Sequence, residues 1–321
     1  MRLSIRTTFI IAVAALAGWL TLSVPTSIQA QPPAGAKGGG KGGGKGFAQD
    51  PRAQTRTYHF EDTNEDLPYS VYASSKVKKD QKAPLIVTLH GLGAPQTIMM
   101  SKTAIDLAEE GGYILVAPMG YNTSGWYGSP GVGGGGGRGR GAAKGAAPGG
   151  PDAAPGGAGA APGGAPGAGA AKGGGGGNQP ANVSELSEKD TMNVLAMVRK
   201  EFNVDDKRIY IMGHSMGGAG ALFLGGKYPN IFAAVGAEAP AAFWQTRKET
   251  LQPMKDAKVP VMIVHGDSDE VVNVSNSEGW VEVMKSINMD YEFVKQPGIS
   301  HGPVIESGQK PIYEFFAKHK K

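Results

Sequence analysis

Cysteine is absent from this chain of 321 residues. Its absence excludes disulfide bonds, clustered-cysteine metal sites and a lipid-modified cysteine. The metal-site patterns His-x-x-x-His and His-Glu-x-x-His are also missing, as are a dinucleotide fingerprint that leads into a helix and a Gly-Lys-Ser/Thr phosphate loop. We therefore expect an activity that uses no metal and no cofactor.

Long hydrophobic runs are missing as well, except near the amino terminus. There, Arg2 and Arg6 precede an apolar stretch from Phe9 to Leu22, and small residues follow up to Ala30. This order is typical of a secretory signal peptide, and the stretch is shorter than the roughly 20 residues that cross a bilayer. We assign residues 1–30 to a signal peptide and expect a bacterial protein that is secreted or periplasmic. A membrane anchor is the alternative.

Large apolar side chains are scarce in two segments, a Gly/Lys/Pro-rich linker assigned to residues 31–56 and a Gly/Ala/Pro-rich insert at residues 131–177. Neither segment can bury enough apolar surface to offset the entropy of ordering, so both are predicted to be disordered. The net charge is +6 over residues 1–56 and +3 over the insert, whereas the rest of the chain carries −5. The basic pI therefore does not favour nucleic-acid binding. The basic linkers are either simply solvated or in weak contact with anionic cell-wall or membrane surfaces.

The remaining residues fit one domain, 57–321, which the insert interrupts. Alternation in Thr57–Glu61 and Tyr69–Tyr72 predicts an edge hairpin. Near-continuous apolar runs predict six strands buried on both faces: Pro84–Leu89, Tyr113–Ala117, Arg208–Met212, Ala233–Ala237, Val261–Val264 and Tyr291–Val294. Helices are predicted at 97–111, at 184–202 with Ser184 as its cap, at 216–227, within 241–257, at 275–287 and at 311–319. The chain is thus predicted to have an α/β fold, with a mainly parallel open sheet of about eight strands and helices on both faces.

Residues 213–218 read Gly-His-Ser-Met-Gly-Gly and follow the predicted strand Arg208–Met212. A stretch of small residues that can begin a helix comes next. Gly-x-Ser-x-Gly between a strand and a helix is typical of a nucleophile elbow, in which glycines flank a serine held in a strained conformation. We predict that Ser215 is a nucleophile at the carboxyl end of a buried strand.

A serine hydroxyl needs a nearby base, and the base needs a partner that fixes its tautomer. His301 lies in a loop after the last predicted strand, so we predict that it is the base. The other histidines lie on an edge strand, in the charged tail, inside the elbow or at strand ends: His59, His319, His214, His90 and His265. The acid is expected between the serine and the histidine in the sequence. Three carboxylates there are candidates, Asp267, Asp269 and Glu270.

These motifs resemble those of the α/β-hydrolase superfamily, in particular the exported esterases related to dienelactone hydrolase, polyhydroxybutyrate depolymerase and the prolyl-oligopeptidase catalytic domain. In that group the pattern His-Gly-x-x-Asp-x-x-Val carries the catalytic acid at its fifth position, which is Asp269 here. His90-Gly91-Leu92 resembles the His-Gly-x motif after the third strand. The resemblance implies an oxyanion hole made by the backbone N–H groups of Leu92 and Met216. The chain lacks the cysteine or bulkier polar loop that usually follows His-Gly in polyhydroxybutyrate and feruloyl esterases, which leaves the substrate open.

Aromatic residues beside the site are predicted to contact the substrate. Trp126 and Tyr127 follow the fourth strand, and Trp244, next to Phe243, follows the sixth. The predicted function is that of a secreted serine carboxylesterase that cleaves a small-molecule or polymer-derived ester through an acyl-enzyme. A serine peptidase of the prolyl-oligopeptidase type and a catalytically silent cell-surface binding protein are the alternatives. The sequence gives no prediction of the oligomeric state.

Overall fold

The computed structural model describes residues 48–131 and 179–321. The predicted signal peptide, residues 1–30, lies outside the described residues. Residues 31–47 of the predicted linker and 132–177 of the predicted insert also lie outside them. Within the described part, no helix has the length and apolar character that crossing a membrane requires.

Eight strands form a single sheet, as the sequence predicts. They are β1 Gln54–Phe60, β2 Glu65–Ala73, β3 Ala83–Leu89, β4 Ile114–Pro118, β5 Val204–His214, β6 Ala234–Glu238, β7 Val261–Gly266 and β8 Tyr291–Gln296. The order across the sheet is β1-β2-β4-β3-β5-β6-β7-β8. β2 pairs antiparallel with β1 and β4, and the other pairs are parallel. The carboxyl ends of β3 to β8 therefore meet at one edge of the sheet.

Seven helices accompany the sheet in the described residues, and some of them begin at residues other than those predicted. They are α1 Lys102–Gly111, α2 Val183–Glu201, α3 Met216–Lys227, α4 Arg247–Asp256, α5 Ser275–Ser286, α6 Val304–Ser307 and α7 Gln309–Lys318. α1 begins later than residue 97 because the Ser101 side chain accepts from the Ala104 N–H and caps it. Ser184 is not the cap of α2. The helix starts one residue earlier, so the Ser184 hydroxyl lies in its first turn and donates to the Ser129 carbonyl at 3.4 Å.

Two apolar cores, one on each face, explain why the central strands are buried. Every residue of β3 and β4 is buried. Successive residues of a strand point to opposite faces, so Leu85 and Val87 belong to the core that includes α2, α3, α4 and α5. Ile86 belongs to the core that includes α1 and α7. Burial on both faces is the reason that these strands read as unbroken apolar runs.

The domain begins before residue 57, the boundary that the sequence predicts. β1 starts at Gln54 and pairs with β2 along its whole length. Upstream of β1, the Asp50 N–H donates to the Met100 carbonyl at 2.7 Å. A hydrogen bond from the Arg52 side chain lowers the pKa of the Asp50 carboxyl to about 2. These contacts attach residues 48–56 to the domain, which corrects the predicted linker end at residue 56.

Candidate active site

Ser215 occupies the turn between β5 and α3, at the carboxyl edge of the sheet. Its backbone has a positive φ, 56°, with ψ −113°, which a non-glycine residue adopts only under constraint. The flanking glycines are required by space, because a Cβ atom at Gly213 would lie 2.4 Å from the Gly217 carbonyl oxygen, and one at Gly217 would lie 2.1 Å from that of Leu89. The Ser215 N–H donates to the Glu238 carbonyl at 2.9 Å. The turn therefore has the geometry of a nucleophile elbow.

His301 and Asp269 come together in the loops that follow β8 and β7. His301 Nδ1 lies 2.7 Å from Asp269 Oδ2. Of the three carboxylates that spacing left open, the other two have different surroundings. Asp267 Oδ1 accepts from the Gly298 N–H at 2.7 Å, which is a turn contact, and Glu270 is exposed. Asp269 is thus the carboxylate that can fix the orientation of the imidazole.

Asp269 is buried and receives four hydrogen-bond donors. Its Oδ1 accepts from the N–H groups of Val271 and Val272, each at 2.8 Å. Its Oδ2 accepts from His301 and, at 3.1 Å, from His265 Nε2. Burial alone would raise the pKa of Asp269, but the hydrogen bonds from Val272, His301 and Val271 outweigh it and hold the pKa below its ordinary value. The carboxyl group is therefore ionised at neutral pH.

A cavity of about 600 Å³ opens over Ser215 and His301. Among the described residues that line it there is no Asp, Glu, Lys or Arg. In residues 48–131 and 179–321, the large hydrophobic side chains that remain exposed are Leu92, Phe243 and Val271, at 59%, 41% and 70% exposure. All three line this cavity. The described residues therefore give the site an apolar and uncharged mouth.

Leu92 and Met216, the predicted oxyanion-hole residues, both line the cavity beside Ser215. Within the described residues, neither backbone N–H has a hydrogen-bond acceptor, so both are free to bind a ligand oxygen. Gly91 brings the loop close to the elbow, since a Cβ atom there would lie 3.2 Å from His214 Nδ1. The His90 ring is buried between two carbonyl oxygens: its Nδ1 lies 2.9 Å from that of Gly91, and its Nε2 lies 2.8 Å from that of Met119, after β4.

Trp126 lines the cavity, but its neighbour Tyr127 does not, which corrects our prediction for Tyr127. The Tyr127 side chain is fully buried and its hydroxyl donates to the His90 carbonyl at 3.2 Å. The ring fills a space bounded by two glycines, since a Cβ atom at Gly120 or Gly220 would come within 2.4 or 2.7 Å of it. Tyr127 therefore packs the loop onto the domain and is not a substrate contact.

Trp244 also lies away from the cavity, which corrects a second predicted contact. Its ring packs edge-on against Trp280 with centroids 5.2 Å apart, and its Nε1–H donates to the Thr250 hydroxyl at 3.1 Å. Phe243, the residue before it, lines the cavity instead. The two adjacent side chains therefore differ, since Trp244 packs inward against Trp280 while Phe243 faces the site.

Two further histidines border the site, and the sequence reasoning assigned no role to either. His214 Nε2 donates to the His301 carbonyl at 2.9 Å, and burial together with the nearby His301 lowers the pKa of His214 to about 3. His265 contacts Asp269, as described above. The available signal was the spacing of His265 and Asp269 within the His-Gly-x-x-Asp motif. Within the described residues, no group of three or more His, Asp or Glu side chains is arranged to hold a metal ion.

Comparison with known proteins gives matches over part of the chain. A family model described as "Putative esterase" matches residues 177–296. A bifunctional acetylxylan esterase/xylanase from Neocallimastix patriciarum is 31% identical over 98 residues, which are 29% of this chain and 14% of that protein. A cutinase from Thermobifida alba is 36% identical over 73 residues, which are 23% of this chain and 22% of the cutinase. The aligned region thus covers less than a quarter of the length of either relative.

Solved structures match more of the chain. The structure of a ferulic acid esterase from Anaeromyces mucronatus is 18% identical, with a TM-score of 0.55, and the match covers 86% of this chain and 94% of that one. At this identity the likeness shows the fold. The sheet order, the strand-turn-helix around Ser215 and this structural likeness together show that the chain has the α/β-hydrolase fold.

Proposed function

We propose that this protein is a serine carboxylesterase in which Ser215 is the nucleophile, His301 the general base and Asp269 the residue that orients His301. The observation that carries the proposal is the 2.7 Å contact between His301 Nδ1 and Asp269 Oδ2, in a cavity that His301 shares with the elbow serine. The match to the esterase family model supports the same class of reaction.

The tautomer of His301 follows from its partner. Asp269 is ionised and can only accept, so His301 Nδ1 carries the proton and Nε2 keeps its lone pair. Nε2 takes the Ser215 proton as Oγ attacks the ester carbonyl, and the N–H groups of Leu92 and Met216 stabilise the oxyanion. His301 then returns the proton to the leaving alcohol, and an acyl-enzyme remains on Ser215. Water, deprotonated by His301, releases the carboxylic acid and restores the serine.

The residues that line the cavity also bear on the class of substrate. None of the described residues that line the cavity is Asp, Glu, Lys or Arg, so none of them can pair with the charged terminus of a peptide. The exposed side chains of Leu92, Phe243 and Val271 instead offer apolar surface beside the nucleophile. We therefore propose a neutral ester with an apolar group next to the scissile bond. This favours the esterase over the peptidase.

The experiment is hydrolysis of p-nitrophenyl esters of increasing acyl length by the purified protein. We expect turnover that Ser215→Ala abolishes and that Asp269→Asn lowers by roughly 10⁴-fold, because the amide holds the wrong tautomer. Glu270→Gln is the matched control, since that exposed neighbour has no contact with His301 and the variant retains activity. Unchanged turnover in Ser215→Ala refutes the proposal. Faster cleavage of an acyl p-nitroanilide than of the ester supports the peptidase, and no turnover of any ester supports the silent binding protein.

We also propose that the protein is exported, on the basis of the basic, apolar and small-residue order of residues 1–30. Expression of the whole chain in a bacterium, followed by amino-terminal sequencing of the extracellular and periplasmic protein, tests this proposal. We expect a mature protein that begins at Gln31. A membrane-bound product that keeps residues 1–30 supports the anchor instead.

A further inference from the structure

The Asp269 carboxylate has a second histidine partner besides His301. His265 Nε2 lies 3.1 Å from Asp269 Oδ2, the same oxygen that His301 Nδ1 contacts at 2.7 Å. His265 lies near the end of β7 and is fully buried, as is the Asp269 side chain. A buried imidazole that contacts the carboxylate of a proposed triad can control where that carboxylate points.

The proton position on His265 is fixed by its surroundings. Nε2 faces two acceptors, the Asp269 carboxylate and the Val272 carbonyl at 2.9 Å, so Nε2 carries the proton. Nδ1 must then accept, and it lies 2.7 Å from the buried Ser277 hydroxyl of α5. The Ser277 O–H therefore donates to Nδ1. Burial lowers the pKa of His265, which keeps the ring neutral in this arrangement.

We propose that His265, whose ring Ser277 holds in place at Nδ1, is a positioning residue for ester hydrolysis that acts through Asp269 on His301. This inference rests on the proposed function of Ser215, Asp269 and His301. The hydrogen-bond chain would run from α5 through β7 to the base, two residues beyond the triad.

The contacts of Asp269 explain why such a residue matters. The N–H groups of Val271 and Val272 fix Oδ1, and His265 fixes Oδ2. The carboxylate plane is therefore set before His301 binds to it. Without the His265 donor, Oδ2 is no longer held in position, and His301 is the one remaining donor to it among the described residues. The base would then be less well oriented and easier to protonate.

Other titratable groups nearby do not obscure the effect of His265 on the pH dependence of hydrolysis. His214 on the elbow stays neutral because burial and the nearby His301 lower its pKa to about 3. On α5, Glu278 pairs with Lys295 at the surface at 3.0 Å. On α4, Arg247 donates to the Asn276 side chain at 3.2 Å. The ionisable groups in direct contact are therefore the three members of the hydrogen-bond chain, His265, Asp269 and His301.

Two variants of His265 separate positioning from a merely structural role. His265→Gln keeps an N–H donor near the Nε2 position, whereas His265→Met has similar length and no donor. We expect His265→Met to lower kcat for a soluble p-nitrophenyl ester roughly tenfold with KM nearly unchanged. We expect the midpoint of the acid limb of kcat/KM to rise by up to roughly one pH unit. His265→Gln should retain most of the activity and the wild-type midpoint.

Ser277→Ala removes only the hydroxyl that holds the His265 ring at Nδ1. It should change kcat and the acid midpoint in the same direction as His265→Met, and it keeps the test open if the methionine variant does not fold. Because His265 acts through Asp269, His265→Met should cause no further loss in an Asp269→Asn background. Thermal unfolding of each variant shows that the folded protein is being compared.

The proposal is overturned if His265→Gln and His265→Met lose activity equally with no change in the acid midpoint. It is also overturned if Ser277→Ala leaves both kcat and the midpoint unchanged, or if His265→Met lowers activity by the same factor with and without Asp269→Asn. Failure of the proposed function is a different result, namely full activity in Ser215→Ala. The two failures are therefore distinguishable.

Discussion

Glu238→Gln is expected to stabilise the protein at neutral and alkaline pH. Glu238 ends β6 and is fully buried, and neither carboxyl oxygen has a hydrogen-bond partner within the described residues. Burial, with a smaller effect of nearby Glu306, raises its pKa well above the ordinary value of 4.5. The carboxyl group is therefore protonated in the folded protein at pH values where it is ionised in the unfolded chain.

The sign of the pH effect follows from this difference. Below pH 4.5 both states are protonated, so the stability associated with the neutral carboxyl is fully present. As the pH rises towards the folded pKa, the unfolded chain releases the proton and the folded protein does not. The free energy of unfolding then falls by about 1.4 kcal/mol for each pH unit. Glutamine has nearly the same shape and carries no proton to release, so Glu238→Gln removes this loss.

Urea unfolding of wild type and Glu238→Gln at pH 4, 5, 6, 7 and 8 measures the difference. We expect nearly equal free energies of unfolding at pH 4 and an advantage for the variant that grows with pH. Glu185→Gln, at an exposed position of α2, is the matched control and should show no such growth. A difference between Glu238→Gln and wild type that does not depend on pH would refute the reasoning.

Three more predictions concern the elbow, the loop after β4 and the pH profile. Gly217→Ala places a methyl group about 2.1 Å from a carbonyl oxygen of β3, so we expect insoluble protein or a strongly lowered Tm; a folded, active variant would contradict the elbow geometry. Tyr127→Ala should lower the free energy of unfolding by about 3–5 kcal/mol because it empties a buried space, whereas Trp126→Ala should change KM for esters. Equal effects on stability would count against these assignments. On acidification, log(kcat/KM) should fall against pH with a slope of one, because the proposed base acts only in its neutral form and the pKa of the neighbouring His214 is about 3; a slope of two would show that a second histidine titrates.

Most of the fold could be predicted because the central strands are buried on both faces. Runs such as Leu85–Leu89 and Val261–Val264 are nearly continuous in apolar residues, which is typical of strands buried on both faces. Each of the six predicted runs overlaps a strand. The start of β1 could not be placed, because Gln54, Thr55 and Arg56 are exposed or half-buried. Such residues carry no apolar signal, and only their pairing with β2 makes them a strand.

The candidate site could be predicted in part. The position of Ser215 follows from local sequence, because the glycines beside it are dictated by contacts within the turn. The choice of Asp269 over Asp267 needed a family resemblance, since both follow β7 and only the path of the loop decides which carboxylate meets His301. The residues next to His265 in the sequence do not indicate a contact with Asp269. That contact arises from a tight turn after β7, outside any helix.

The side-chain directions of Trp126 and Tyr127 could not be predicted from the sequence. In a helix or a strand, the angle between consecutive side chains follows from the period. Both residues here have positive φ, 61° and 52°, so neither period applies. What decides their directions is the space available, since the missing side chains of Gly120 and Gly220 leave room for one aromatic ring. Tyr127 takes that room because its hydroxyl reaches the His90 carbonyl. Trp126 is thereby directed towards the cavity, so the same packing that stabilises the loop also supplies an aromatic wall to the site.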